Sequence, residues 1–147
     1  MGAAGANVVV NYASNASAAE GVVNDIKATG QGDAIAVKAD VSTVEGGKSL
    51  VDAAVAKWGR LDVLVLIAGI MGSKPIADVS EDFFDEHIQT NVKAPLFTVK
   101  HALQHLGRTY PCCLLETQCN IPMFFRLAEG GRIVFISTSL TRFTCKF

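Results

Sequence analysis

Apolar positions along the chain follow two alternating periods. Short, nearly continuous apolar runs rich in β-branched residues predict buried strands at residues 7–12, 34–39, 61–67 and 133–137. Between the first three runs, apolar residues recur at helical intervals. Strands that alternate with helices of about 10 to 15 residues predict right-handed βαβ crossovers and a parallel sheet covered on both faces.

Two of the predicted helices begin with the spacing of a capping box. Ser17 is followed three residues later by Glu20, and Ser42 by Glu45, a pattern that satisfies free backbone N–H groups at a helix start. Gly59 is placed to end the second helix. These helices are predicted to follow the first and second strands.

A third helix is predicted to start at Ser80 and to run to about Leu106. Pro95 lies inside it and has no backbone N–H, so the carbonyl of Asn91, four residues earlier, loses its usual donor. We therefore expect a kink near Asn91 and a carbonyl available to bind water. The alternative is a kinked helix with a buried asparagine and no further role.

Residues 107–127 interrupt the periodic pattern. They hold three of the four cysteines and two of the four prolines of the chain. Their removal would join the third helix to the last strand through an ordinary short loop. They are predicted to be an insertion, the alternative being a surface loop specific to this protein.

Composition excludes several classes of function. The 147 residues suit one domain and have a net charge of −1 without a Lys/Arg stripe, so no nucleic-acid partner is predicted. The longest apolar run, 63–71, is far shorter than the ~20 residues of a membrane span, and no membrane partner is predicted. Because the start lacks the basic region of a secretory signal, a cytoplasmic location and free thiols are predicted.

Several short motifs occur in an order that resembles the short-chain dehydrogenase/reductase family, in particular fungal-type hydroxynaphthalene and 3-oxoacyl reductases. Residues 91–95 resemble the family helix whose asparagine carbonyl holds a relay water. Residues 61–69 resemble the strand that ends in Asn-Ala-Gly, with Ile67 in place of the asparagine. The resemblance implies that 1–147 is a single, partial dinucleotide-binding domain with a Rossmann-like doubly wound parallel sheet.

The resemblance also implies a function, which is the NADP(H)-dependent reduction of a small-molecule carbonyl to an alcohol. Intact relatives are expected to be homo-oligomers. Residues 11–15 carry no acid, and because an acid there bonds the ribose 2′-hydroxyl of NAD, NADP is favoured over NAD. The implied cofactor contacts are Asn11, Ser14, Asp40, Val41, Ala68 and Gly69. For Asp40, the alternative is an acid at a helix start that only helps Ser42 to cap.

The implied catalytic residues are Ser139, which polarises the carbonyl, and Asn91, which supports the proton relay. Ser137 and Thr138 are alternatives to Ser139, as is a Ser/Thr run that merely faces solvent. The family proton donor is a tyrosine with a lysine four residues later, and neither tyrosine of this chain has one. No glycine-rich phosphate-binding turn is present either. The chain is therefore predicted to be incomplete at both ends and inactive, or else a non-catalytic remnant or partner-binding fragment.

Two further expectations follow from the residues. His101 and His105 are four apart and cysteines follow them, but adjacent cysteines are poorly placed to share a tetrahedral zinc site, so no metal site is predicted. In the family strand order, the absent first strand separates strand 7–12 from strand 61–67. Its absence is expected to leave two apolar edges open, unless those strands pair directly or borrow a strand from a partner.

Overall fold

The computed structural model describes residues 1–106 and 132–135. The strands in these ranges are β1 Val8–Tyr12, β2 Ala34–Lys38, β3 Val63–Leu66 and β4 Arg132–Phe135. The α-helices are α1 Ala16–Ala28, α2 Val44–Trp58, α3 Glu81–Ile88 and α4 Ala94–Ala102, with short 3₁₀ turns at Gly2–Ala4 and Ile76–Asp78. None of these helices has the length and apolarity that a membrane span requires. The predicted insertion, 107–127, lies outside the described residues and stays a prediction.

The strands form two parallel pairs. β1 pairs with β2, from Val8 opposite Ala34 to Tyr12 opposite Lys38, and β3 pairs with β4. The crossover from β1 through α1 to β2 confirms the predicted βαβ pattern. Among the described residues β1 and β3 are not paired with each other, so direct pairing does not close the gap between them. In this part of the chain each of the two strands therefore has one unpaired edge, as expected if a strand between them is absent.

The first two helices begin at neighbours of the predicted caps. α1 is capped by Asn15, whose side chain accepts the backbone N–H three residues later, so the cap predicted at Ser17 is wrong. α2 is capped in the same way by Thr43, and Ser42 instead bonds the carboxylate of Asp40. α1 therefore begins earlier than the capping-box pattern predicts, and α2 begins one residue later. Several adjacent polar residues can cap each helix, and the position where the preceding strand ends selects one of them.

The third predicted helix is two helices joined by a π turn. α3 is capped by Ser80, as predicted, and the kink expected near Asn91 is the π segment Gln89–Lys93. There the backbone N–H of Ala94 donates to the carbonyl of Gln89, five residues back. Pro95 has no N–H for the regular bond to Asn91, so the wider turn accommodates it. α4 ends at Ala102, four residues earlier than expected.

A buried apolar cluster forms where α2 and α4 pack against the pair β3–β4. Gly47 of α2 is buried against Thr98 of α4, which lets the two helix backbones approach closely. Leu61, just before β3, forms a parallel bridge with Leu106. The cluster is made of apolar side chains from both helices, both strands and the short segments beside them: Val51, Val55, Leu61, Leu64, Ala102, Leu106 and Ile133.

Candidate functional site

Apart from Asn11, which lies within β1, the predicted cofactor residues follow the carboxyl ends of three strands. Ser14 is two residues past the end of β1, Asp40 two past β2, and Ala68 two past β3, with Gly69 next to it. All four are exposed, and Val41, beside Asp40, is half-buried. In open α/β sheets ligands bind outside the carboxyl ends of the strands. The position of these residues is consistent with the predicted nucleotide contacts, which stay a prediction.

Asn11 joins the ends of β1 and β2. Its side-chain amide donates to the carbonyl of Ala39 at 2.9 Å and to that of Val37 at 3.3 Å. These bonds cross from one strand to the next and hold the main chain directly before Asp40. Asn11 therefore positions the acid, whereas its own contact with a cofactor stays a prediction.

Asp40 is oriented by the residue that follows the strand end. Its Oδ1 accepts the hydroxyl of Ser42 at 2.7 Å and the backbone N–H of Ser42 at 3.0 Å. These two bonds, the hydroxyl bond foremost, hold the pKa of the Asp40 carboxyl below its ordinary value of 3.8. The carboxylate is thus charged at neutral pH and able to accept a hydrogen bond from a ligand. The bonds to Ser42 form a local turn before α2, but they do not make Ser42 a cap as the alternative interpretation of Asp40 supposes, because Thr43 caps α2.

The lowered pKa of Asp40 predicts that the protein loses stability in acid. Asp40 binds a proton less readily in the folded chain than in the unfolded chain. The charged carboxylate therefore adds to the free energy of unfolding above pH 3.8, and this contribution is lost as the pH falls through the lower pKa of the folded state. In Asp40→Asn the amide oxygen can still accept both Ser42 bonds without titrating. We expect the free energy of unfolding, measured with urea, to fall less between about pH 7 and about pH 3 in this variant than in the wild type. Equal losses in the two proteins would contradict the assignment.

Asn91 ties the π turn to the loop after β3. Its Oδ1 accepts the N–H of Ile70 and its Nδ2 donates to the carbonyl of Ile70, both at 2.9 Å. A Cβ at Gly69 would lie 3.0 Å from Asn91 Oδ1, so glycine leaves the room that this pairing needs. The sequence predicts a role for the Asn91 main-chain carbonyl, which stays a prediction. The side-chain role is an addition that only the structure reveals.

Gln89 is a site residue that sequence reasoning missed. Its side-chain amide donates to the carbonyl of Ser42 at 2.9 Å, across 47 positions in the chain. Gln89 and Asn91 lie two residues apart in the π segment, and they hold the turn after β2 and the loop after β3 respectively. The π turn is therefore hydrogen-bonded both to the turn that contains Asp40 and Ser42 and to the loop that contains Gly69 and Ile70. No pattern in the sequence marks a glutamine for this role.

Ser139 lies outside the described residues, as do its alternatives Ser137 and Thr138. It follows the end of β4 by four positions. Because β4 runs parallel to β3, the chain leaves β4 at the edge that carries Ala68 and Gly69. The assignment of Ser139 as the carbonyl-polarising residue stays a prediction.

A sequence model of the short chain dehydrogenase family matches residues 1–110, about three quarters of the chain. The chain belongs to the short-chain dehydrogenase family. This confirms the resemblance seen in the sequence, and the parallel strand pairs with their covering helices confirm the Rossmann-like fold.

The chain is similar to fungal short-chain dehydrogenases that are named as reductases. Elsinochrome reductase 1 of Elsinoe fawcettii is 44% identical over 103 residues, which are 70% of this chain and 38% of that protein. Trihydroxynaphthalene reductase PfmaI of Pestalotiopsis fici is 39% identical over 106 residues, or 72% of this chain and 37% of that protein.

A crystal structure of a short-chain dehydrogenase from Burkholderia cenocepacia in complex with NADP is similar with a TM-score of 0.74 and 32% identity. The similarity covers 96% of this chain and 49% of that one. The chain thus spans less than half the length of each of these three relatives.

Proposed function

We propose that this chain carries the adenosine-binding side of an NADP(H)-dependent short-chain reductase that converts a small-molecule carbonyl to an alcohol. The observation that carries the proposal is the pair of contacts by which Gln89 and Asn91, two residues apart, hold the turn after β2 and the loop after β3. Two similar fungal proteins are named as reductases, and the Burkholderia relative is in complex with NADP. Both observations support the reaction class and the cofactor.

The residues at the edge suit the adenosine half of the cofactor. The charged Asp40 accepts a hydrogen bond from the adenine amino group, and Val41 lies beside it. Ala68 and Gly69 bring exposed backbone to the ribose, where a glycine allows close approach. Asn11 is the last but one residue of β1 and Ser14 follows that strand, at the position where the family distinguishes the two cofactors.

NADP fits the end of β1 better than NAD does. No acid stands among residues 11–15 to repel a 2′-phosphate. The structure adds a cation, because the exposed Lys38 at the end of β2 stands opposite Tyr12 in the strand register. The bare sequence places no basic residue near this point.

Reduction of the carbonyl needs further groups besides those that hold the adenosine half. NADPH supplies a hydride when bound, and Ser139 donates a hydrogen bond to the substrate carbonyl. The Asn91 main-chain carbonyl holds a water for proton relay. These 147 residues contain no tyrosine with a lysine four positions later, so we propose that they do not turn over substrate by themselves. A cytoplasmic location and homo-oligomeric assembly of the intact protein stay predictions.

A second candidate function is a non-catalytic remnant or partner-binding fragment of the same fold. The absence of the tyrosine and lysine pair favours it, and so do the unpaired edges of β1 and β3 in the described residues. The two candidates differ in one measurable property, which is binding of the adenosine half of the cofactor.

The test uses adenosine 2′,5′-bisphosphate and adenosine 5′-monophosphate as ligands, with binding followed by ligand-observed NMR. We expect the bisphosphate to bind more tightly, and Asp40→Ala to weaken it about tenfold, the effect of one charged hydrogen bond. Lys38→Gln is expected to reduce the preference for the bisphosphate. Asp25→Ala, at an exposed position of α1, is the matched control and should leave binding unchanged. If the chain has the circular dichroism spectrum of a folded protein but binds neither ligand at millimolar concentration, only the remnant interpretation is left.

A further inference from the structure

Three potential metal ligands lie together where α2 packs on α4: Asp52 on α2, His101 on α4 and His105, three residues past the end of α4. One ligand atom from each lies within 4.8 Å of the other two. His101 Nε2 is 2.7 Å from Asp52 Oδ1, and the two imidazole rings meet edge to face with centroids 5.4 Å apart. The three side chains already converge, so binding requires only small adjustments.

The backbone places these side chains for structural reasons that are independent of any ligand. His101 and His105 are four residues apart, which puts them on one side of a helical stretch. The N–H of His105 donates to the carbonyl of Ala102, and its own carbonyl accepts the N–H of Leu61. The close packing of α2 on α4 brings in Asp52, which is 49 positions from His101. The His101 side chain is only 20% exposed, whereas that of Asp52 is 50% exposed, so a solvated ion can reach the group.

Gln104 supplies a partner for the remaining nitrogen of His101. Its side-chain amide nitrogen lies 3.1 Å from His101 Nδ1. When Nε2 binds a cation, the proton must reside on Nδ1, and the same amide turned over presents its oxygen as the acceptor. Metal-bound histidines usually donate their other ring N–H to such a group, which fixes the tautomer and the ring orientation.

We propose that Asp52, His101 and His105 bind a divalent first-row transition metal ion such as Zn²⁺ or Ni²⁺. Two imidazoles and one carboxylate are ligands that these ions accept, with water completing the coordination. The ion would link α2 to α4 and stabilise their packing. The site is separate from the nucleotide edge, because Asp52 lies nine residues beyond the Thr43 cap, about 13 Å along α2. The sequence argument against a metal considered the histidines and cysteines alone, and the carboxylate is the ligand that the structure adds.

The test is calorimetric titration of the full chain with ZnCl₂ and NiCl₂, in a background where all four cysteines are replaced by serine. We expect one ion per chain, with binding weakened at least about tenfold by His105→Ala and by Asp52→Ala. His87→Ala is the matched control, because the Nδ1 of His87 is occupied by the Phe83 carbonyl on α3. At an ion concentration one hundred times Kd, the ratio of folded to unfolded chain should rise about a hundredfold.

Each other outcome overturns the proposal. Binding that disappears when the cysteines are replaced would assign the ion to the thiols, and equal binding by His105→Ala and His87→Ala would assign it elsewhere. No binding by folded chain would remove the site altogether. If the ligand variants do not fold, Gln104→Leu decides, because it keeps all three ligands. It must weaken binding if His101 coordinates through Nε2, and unchanged affinity would count against the site.

Discussion

Gly47→Ala is expected to lower the free energy of unfolding by about 3 kcal/mol, at the upper end of the range for overpacked cores. The Cβ of the new alanine would overlap the hydroxyl oxygen of Thr98 and lie 3.0 Å from the Cβ of Thr98. Thr98 cannot rotate away freely, because its buried hydroxyl donates to the carbonyl of Ala94 at 2.9 Å. The helices α2 and α4 must therefore separate, which loosens the core around Val51.

The matched control is Gly21→Ala in the exposed middle of α1. A Cβ at Gly21 meets no atom within 4 Å, and alanine is a better helix former than glycine, so the variant should gain about 0.5 to 1 kcal/mol. Urea unfolding followed by circular dichroism measures both changes. A Gly47→Ala protein as stable as the wild type would mean that α2 and α4 are not in close contact at this point. Domains are typically stable by only about 5 to 15 kcal/mol, so the expected loss is large.

Asn91→Ala is expected to lower the free energy of unfolding by about 2 kcal/mol. The change removes both hydrogen bonds to Ile70, each worth about 1 kcal/mol. Because these bonds hold the loop after β3, we also expect hydrogen exchange at the Ile70 amide to accelerate more than exchange in the strands. Exchange and urea unfolding together separate a local effect on the loop from a general loss of stability.

Asn24→Ala is the control for the asparagine variant. Asn24 lies exposed on α1, and its replacement should change stability by less than about 0.5 kcal/mol. Unaltered Ile70 exchange in Asn91→Ala would show that the loop is held by other contacts. In that case Asn91 would act, if at all, through its main-chain carbonyl.

Local physical chemistry determined much of this protein from the sequence alone. Strand and helix periods depend on neighbouring residues, so they predicted the parallel α/β architecture and the four strands to within a few residues. Ser80 was identified as a cap because a polar residue stands alone before an acidic turn. The kink was predicted from Pro95, whose missing N–H has the same consequence in any helix. The resemblance of residues 61–69 and 91–95 to known motifs identified the family.

Tertiary structure decided everything that depends on two distant segments meeting. Whether Asn15 or Ser17 caps α1 depends on where β1 ends, and neighbouring polar residues offer almost equal alternatives. The bonds from Gln89 to Ser42 and from Asn91 to Ile70 span 47 and 21 positions, and Asp52 meets His101 across 49. Hydrophobic periodicity indicates which side of a helix is buried. It does not indicate which polar side chains meet once two helices pack, because that depends on their crossing and on small contacts such as Gly47 against Thr98.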